Sequence, residues 1–177
     1  MKITLLGYPT FNDWYEVKRR ALVTVGKNEF EAPDDKWRHD ILNARHSPIR
    51  YLRFSFLIED IPSWVSVHLC RHVHAQPYVK SQRNDRQKEY DRNAARQDAP
   101  VSMIWDVNAE ELMVIANKRL CKTASEETRA VVKALCAVVK ERCPEFKPFL
   151  VPMCTYHGGV CHEMKSCGKC PKANAKV

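Results

Sequence analysis

The chain has 177 residues, 45% apolar and 9% aromatic, which excludes a disordered or fibrous polymer and leaves one domain with room for a real core. No apolar run reaches the roughly 20 residues needed to span a bilayer, and the N-terminus lacks the charged-then-apolar order of a secretion signal, so a cytoplasmic protein is expected. The net charge of +8 suits anionic partners, nucleotides or nucleic acid, and equally a surface merely coated with Lys and Arg.

Residues 1–6 read as a strand in which Lys2 and Thr4 alternate with Ile3 and Leu5. Residues 15–25 fit a helix or a strand. Asp34 or Asp35 can cap a helix through Trp37, Ile41 and Leu42, whose spacing suits one buried face. Residues 52–58 read as a second strand. Pro62 breaks the apolar stretch that follows, and residues 61–69 read as a helix delivering Arg71 and His72 to a cleft. Residues 83–98 have almost nothing to bury and read as a solvated helix or loop. Residues 101–105 resume as a strand, and Asn108 opens a helix through Leu112, Ile115 and Leu120. Ser125 can cap the next helix, whose apolar stripe is Val131, Leu135, Val138 and Val139. Strands interrupted by helices, without regular alternation, predict an α+β fold. Composition changes after Pro148, so the expected division is a domain over residues 1–150 and a cysteine-rich tail over residues 151–177.

Residues 71–83 read RHVHAQPYVKSQR, an Arg-His pair followed by Ser81 and Arg83. Two cations and a hydroxyl so placed suit an anionic nucleotide. Each has a plainer use: an Arg near a helix end often caps or pairs, a His is usually just hydrogen-bonded, and Ser81 fits a turn. No Cys or His stands at an activating distance in sequence from Ser81. A second constellation follows in residues 117–129, NKRLCKTASEETR, entered through residues 105–109, WDVNA. Weaker matches are Val23-Thr24 and His46-Ser47-Pro48. Taken in order, these segments resemble the flavin-dependent thymidylate synthases (the ThyX family), whose signature reads R-H-R, seven residues, then S. The resemblance runs over about residues 1–150.

That resemblance implies a mixed sheet with surrounding helices, the ThyX-like fold, assembled as a homotetramer with active sites between subunits. It implies reductive methylation of dUMP at carbon five, with FAD as cofactor and methylenetetrahydrofolate and NADPH as co-substrates. By the family pattern Arg71, Ser81, Arg83 and Arg119 bind the nucleotide, with Arg119 and Ser81 at the reacting ring. His72, Asn108, Thr24 and Ser47 face the flavin. The sequence also departs from the pattern. Val73 stands where a cation is usual, Val79 where many members have a carboxylate, and Ser125 and Glu126 where Gln and an aromatic are usual. Glu110 stands where a base often follows the Asn, and an acid there is expected to repel flavin phosphate. Only 26 residues separate Ser81 from Asn108, a short segment in which Arg86, Arg92 or Arg96 is the substitute for a missing nucleotide-binding Arg.

Eight cysteines remain. Cys70, Cys121, Cys136 and Cys143 are expected to be buried free thiols. Cys154, Cys161, Cys167 and Cys170 crowd into 17 residues, with Cys167 and Cys170 in a CxxC turn. Three readings stay open for them: structural zinc, with His157 or His162 as substitute ligands, an iron–sulfur cluster, or redox thiols. The competing functions are one-carbon transfer to another pyrimidine nucleotide, and a non-catalytic basic nucleic-acid-binding module with a zinc knuckle.

Overall fold

The computed structural model describes residues 1–28, 30–83, 85 and 91–173. The elements in chain order are β1 (Lys2–Gly7), α1 (Phe11–Val23), α2 (Asp35–Asn43), a 3-10 turn (Ser47–Tyr51), β2 (Arg53–Pro62), α3 (Ser63–Cys70), β3 (Ala75–Val79), β4 (Pro100–Asn108), α4 (Ala109–Arg119), α5 (Glu126–Arg142), a second 3-10 turn (Pro144–Phe146) and α6 (Met153–Tyr156). The α+β expectation is met. The sheet runs β1-β2-β4-β3, and all three of its pairings are antiparallel where a mixed sheet was expected. Among the described residues, the one parallel contact is an isolated bridge between Cys161 and Lys172.

Side chains alternate across a strand with a period of two, and this sets the core. Phe54, Phe56 and Ile58 of β2 and Val101, Met103, Trp105 and Val107 of β4 are buried together. Leu112, Ile115 and Ala116 of α4 and Val131, Leu135 and Val139 of α5 belong to the same cluster. A register shift between Ile58 and Ile61 bends β2, and Asp60 takes φ +56° there. The bend puts Pro62 at the N-cap of α3, so the proline that breaks the apolar stretch ends a strand and starts a helix.

Three helix starts follow from side-chain oxygens that satisfy unpaired backbone N–H groups. Asp34 accepts from Trp37 N, Asn108 from Glu111 N and Ser125 from Thr128 N. The undecided segment 15–25 lies mostly in α1, which Thr10 and Asp13 open as a reciprocal capping box. Within residues 83–98 the described positions carry no helix or strand. Among the described residues, no helix is long and apolar enough to cross a membrane.

Residues beyond 150 pack against the body. Buried Asn117 donates from Nδ2 to the carbonyls of Phe149 (3.2 Å) and Val151 (2.7 Å) and accepts from Arg45. Arg45 also lies over the Tyr156 ring at 4.6 Å, and Lys118 pairs with Glu163 at 3.0 Å.

Candidate functional site

The end of α3, the start of β3 and the length of α4 bring the two sequence constellations together. Arg71 is the exposed C-cap of α3, and His72 follows it. The His72 Nδ1 lies 2.9 Å from Glu111 Oε1, and both side chains are nearly buried. Asn108 holds that carboxylate in place, because its Oδ1 accepts from the Glu111 backbone N–H at 2.9 Å in the first turn of α4. Arg119, the last residue of α4, stands close enough to His72 for its charge to act on the ring.

This geometry fixes the state of His72. Burial pushes its pKa down, the Glu111 carboxylate opposes that shift, and the Arg119 charge adds to it. The ring is therefore neutral near pH 7. An ionised carboxylate only accepts, so Nδ1 carries the proton and donates it to Glu111. That leaves Nε2 as a lone-pair acceptor, and it is buried with no partner. Arg119 Nε is likewise buried with no partner.

A stability prediction follows. Because the folded pKa of His72 lies below its ordinary value of 6.5, the unfolded chain binds more protons between those two values. The contribution is complete above about pH 6.5 and is lost as pH falls through that window. Urea midpoints measured from about pH 7.5 to about pH 5 should fall for the native protein and fall less for His72→Gln. Parallel profiles for the two proteins would contradict the assignment.

The other expected residues are distributed less evenly. Ser81 Oγ accepts from the Arg83 backbone N–H at 3.4 Å, a local turn. Arg83 itself is clamped by Asp85 through bonds of 2.9 and 2.6 Å, so its guanidinium is already paired. Thr24 and Ser47 share a cavity of about 430 Å³ with Trp37, Ile41 and His46, between α1 and the first 3-10 turn. Val73 is 80% exposed, so no buried cation is missing there. Glu110 pairs with Arg50, which neutralises the acid expected to repel phosphate. Arg96 is held by Asp98 at 2.9 and 3.0 Å, and Arg86 lies outside the described residues. Glu111 had no place in the motif reading. Its signal was available as a third acidic-or-polar position after an N-cap Asn, on the helix face that carries Arg119 two turns later.

The cysteines also sort differently. Cys136 and Cys143 are buried as expected, and burial pushes both thiols up to about 12, which keeps them inert. Cys70 is exposed, against expectation, because it sits at the solvent side of the last turn of α3. Cys121 is buried and free, as expected. Among the described residues, no three His, Cys, Asp or Glu side chains already form a metal-holding group. Cys161 is buried, and its backbone pairs with the end of the tail.

The family model described as thymidylate synthase complementing protein matches residues 84–145. That span contains Asn108, Glu111 and Arg119 and begins just after the Arg71–Arg83 segment. Two crystal structures of the Helicobacter pylori flavin-dependent thymidylate synthase ThyX, each with FAD and dUMP, share the fold at a TM-score of 0.69. Their identities to this chain are 16% and 15%, and the superpositions take in 85% and 84% of this chain and 99% of those chains. Among curated proteins, none matches.

Proposed function

We propose that this chain belongs to the thymidylate synthase complementing protein family, whose model matches residues 84–145 and whose fold it shares, and that it is a flavin-dependent thymidylate synthase acting on dUMP in the cytoplasm. The observation that carries the proposal is that two buried polar atoms, His72 Nε2 and Arg119 Nε, have no protein partner where the two motifs meet. FAD, reduced by NADPH, supplies hydride, and methylenetetrahydrofolate supplies the carbon.

The residues fit those groups. Uracil and the flavin ring both carry an imide edge, an N–H between two carbonyls. A neutral His72 offers Nε2 to such an N–H, while Arg119 donates to a carbonyl oxygen. A fixed cation there stabilises negative charge developing on the pyrimidine without reorganising during the reaction. Exposed Arg71 is placed for a phosphate, and the Thr24–Ser47 cavity is the candidate seat for part of the flavin. Asn108 acts through Glu111 on the His72 tautomer, a positioning role. In this reading the open sites are completed between subunits of a homotetramer.

Purified protein titrated with FAD should quench its fluorescence saturably. With NADPH and methylenetetrahydrofolate it should then release tritium from five-tritiated dUMP. No saturation up to millimolar FAD would reject the flavoenzyme reading, whereas release from another pyrimidine nucleotide alone would move the substrate. A second reading, nucleic-acid binding, has one observation in its favour. A cleft of about 480 Å³ is lined by Lys122, Arg129, Lys133, Lys140 and Lys169. Salt-sensitive binding of mixed oligonucleotides, without flavin, is the result that would favour it.

A further inference from the structure

We infer that the cavity between α1, α2 and the second 3-10 turn binds a carboxylate carried on an aromatic or branched apolar body, with Arg38 as its main contact and Arg142 beside it. The cavity measures about 560 Å³, and neither His72 nor Arg119 lines it. It is also separate from the Thr24–Ser47 cavity. Trp37, Asp40 and Ile41 line that one, whereas Asp35, Arg38 and His39 line this one. At about 100° per residue, the two sets lie on opposite faces of α2.

Arg38 carries the inference. Its side chain is 19% exposed, and its Nε is buried with no partner. Its one ion pair among the described residues runs from Nη1 to Asp35 at 3.6 Å, and that acid is 99% exposed, so water screens it. Glu145, the other acid lining the cavity, accepts from Trp14 Nε1 at 3.0 Å. The guanidinium carbon lies 5.6 Å from the Trp14 ring centroid, near the outer limit of about 6 Å for a cation–π contact. A charge so far removed from water without a hydrogen-bonding acceptor is unfavourable, and an anion accepting from the guanidinium relieves that. Arg142, the last residue of α5, lines the same cavity, is exposed, and has no ion pair among the described residues.

The rest of the wall is apolar and stiff. Pro9, Phe11, Pro144 and Pro148 line it, and proline has no N–H, so much of this surface offers carbon and no donor. Phe11 is 57% exposed and starts the helix that the Thr10–Asp13 capping box fixes, while Pro144 opens the 3-10 turn. Such a surface suits a ring or branched chain, and cavities of about 300–1,000 Å³ hold molecules of that kind. The guanidinium fork matches the planar pair of oxygens of a carboxylate. Asp35 and Glu145 in the same wall tolerate one negative charge better than the two of a phosphate monoester. A bare inorganic anion would leave the apolar wall in water.

The test titrates the full chain with phenylpropionate and follows the indole N–H resonances by heteronuclear NMR. That of Trp14 should move saturably with a Kd of about 1 mM or lower, while that of Trp105, buried in the sheet core, should stay. The uncharged amide of the same acid should bind at least about tenfold more weakly, as should acetate, which lacks the ring. Arg38→Met should weaken the acid by at least about tenfold, whereas Lys36→Met, which removes the same charge from the same helix outside the cavity, should leave it unchanged. Should Arg38→Met fail to fold, Arg142→Met at the exposed end of α5 replaces it, with a loss of about threefold expected. A Kd above that limit, equal affinity for acid and amide, or unchanged binding in the folded arginine variant overturns the site. Tighter binding of phenyl phosphate than of phenylpropionate overturns the choice of carboxylate.

Discussion

Arg119→Ala is expected to lower tritium release from five-tritiated dUMP by about 10²–10³-fold, about 2.7–4 kcal/mol, if the guanidinium acts as an oxyanion donor does. The same change should leave the melting temperature nearly untouched. Arg119 is the last residue of α4 and is only partly buried, so its structural worth is mainly its interaction with the helix C-terminus. Such a charge contributes about 0.3–1 kcal/mol. Against this, its Nε is buried without a partner, so truncation also removes an unfavourable term. The functional loss therefore exceeds the structural one by a wide margin. Lys118→Ala is the control, since Lys118 on the same turn pairs with Glu163 at the surface. Arg119→Lys keeps the charge but loses the fork of donors, and should restore part of the rate. Equal rates for native protein and a folded Arg119→Ala would remove Arg119 from the site.

The contrast between Arg119 and Arg83 marks how far the sequence carries a site assignment. Both sit in motif positions of the family pattern. Only the fold shows that Arg83 is held by Asp85 two residues away, while Arg119 keeps a donor unpaired beside His72. Motif spacing records which residue types occur, but ion pairing depends on side-chain geometry. Glu110 makes the same point in the other direction, because its neutralising partner Arg50 is 60 residues away in sequence.

Local signals did better where one residue decides the outcome. Asn108 and Ser125, and Asp34 as one of two adjacent candidates, were legible as helix starts because an oxygen at an N-cap meets an N–H that has no other partner. The alternation of β2 and β4 was legible because one face of each is buried. β3 was not, although it lies inside the most informative segment of the chain. Its sequence AQPYV contains Pro77 and lacks regular alternation. It occupies the edge of the sheet, where a missing N–H is tolerated, so pairing with β4 makes it a strand.

Phe146→Ala should be the most damaging single truncation near the boundary between body and tail. Phe146 ends the second 3-10 turn and is fully buried. Its ring meets Phe54 edge-on at 5.2 Å and lies 6.1 Å from Trp14, so it joins β2 to α1. Trp14 is itself tied to the neighbouring residue, donating from Nε1 to Glu145 at 3.0 Å. Removing a buried Phe costs about 3–5 kcal/mol, combining lost transfer energy with an unfilled cavity. Whole domains are stable by only about 5–15 kcal/mol, so the loss is a large share. For a chain of this size it corresponds to a fall in melting temperature of about 6–20 °C. Met164→Ala is the matched control, since Met164 is 96% exposed in the tail and should change stability by no more than about 0.5 kcal/mol. A fall of less than about 2 °C for Phe146→Ala would mean the cavity collapses or the turn is undocked in solution.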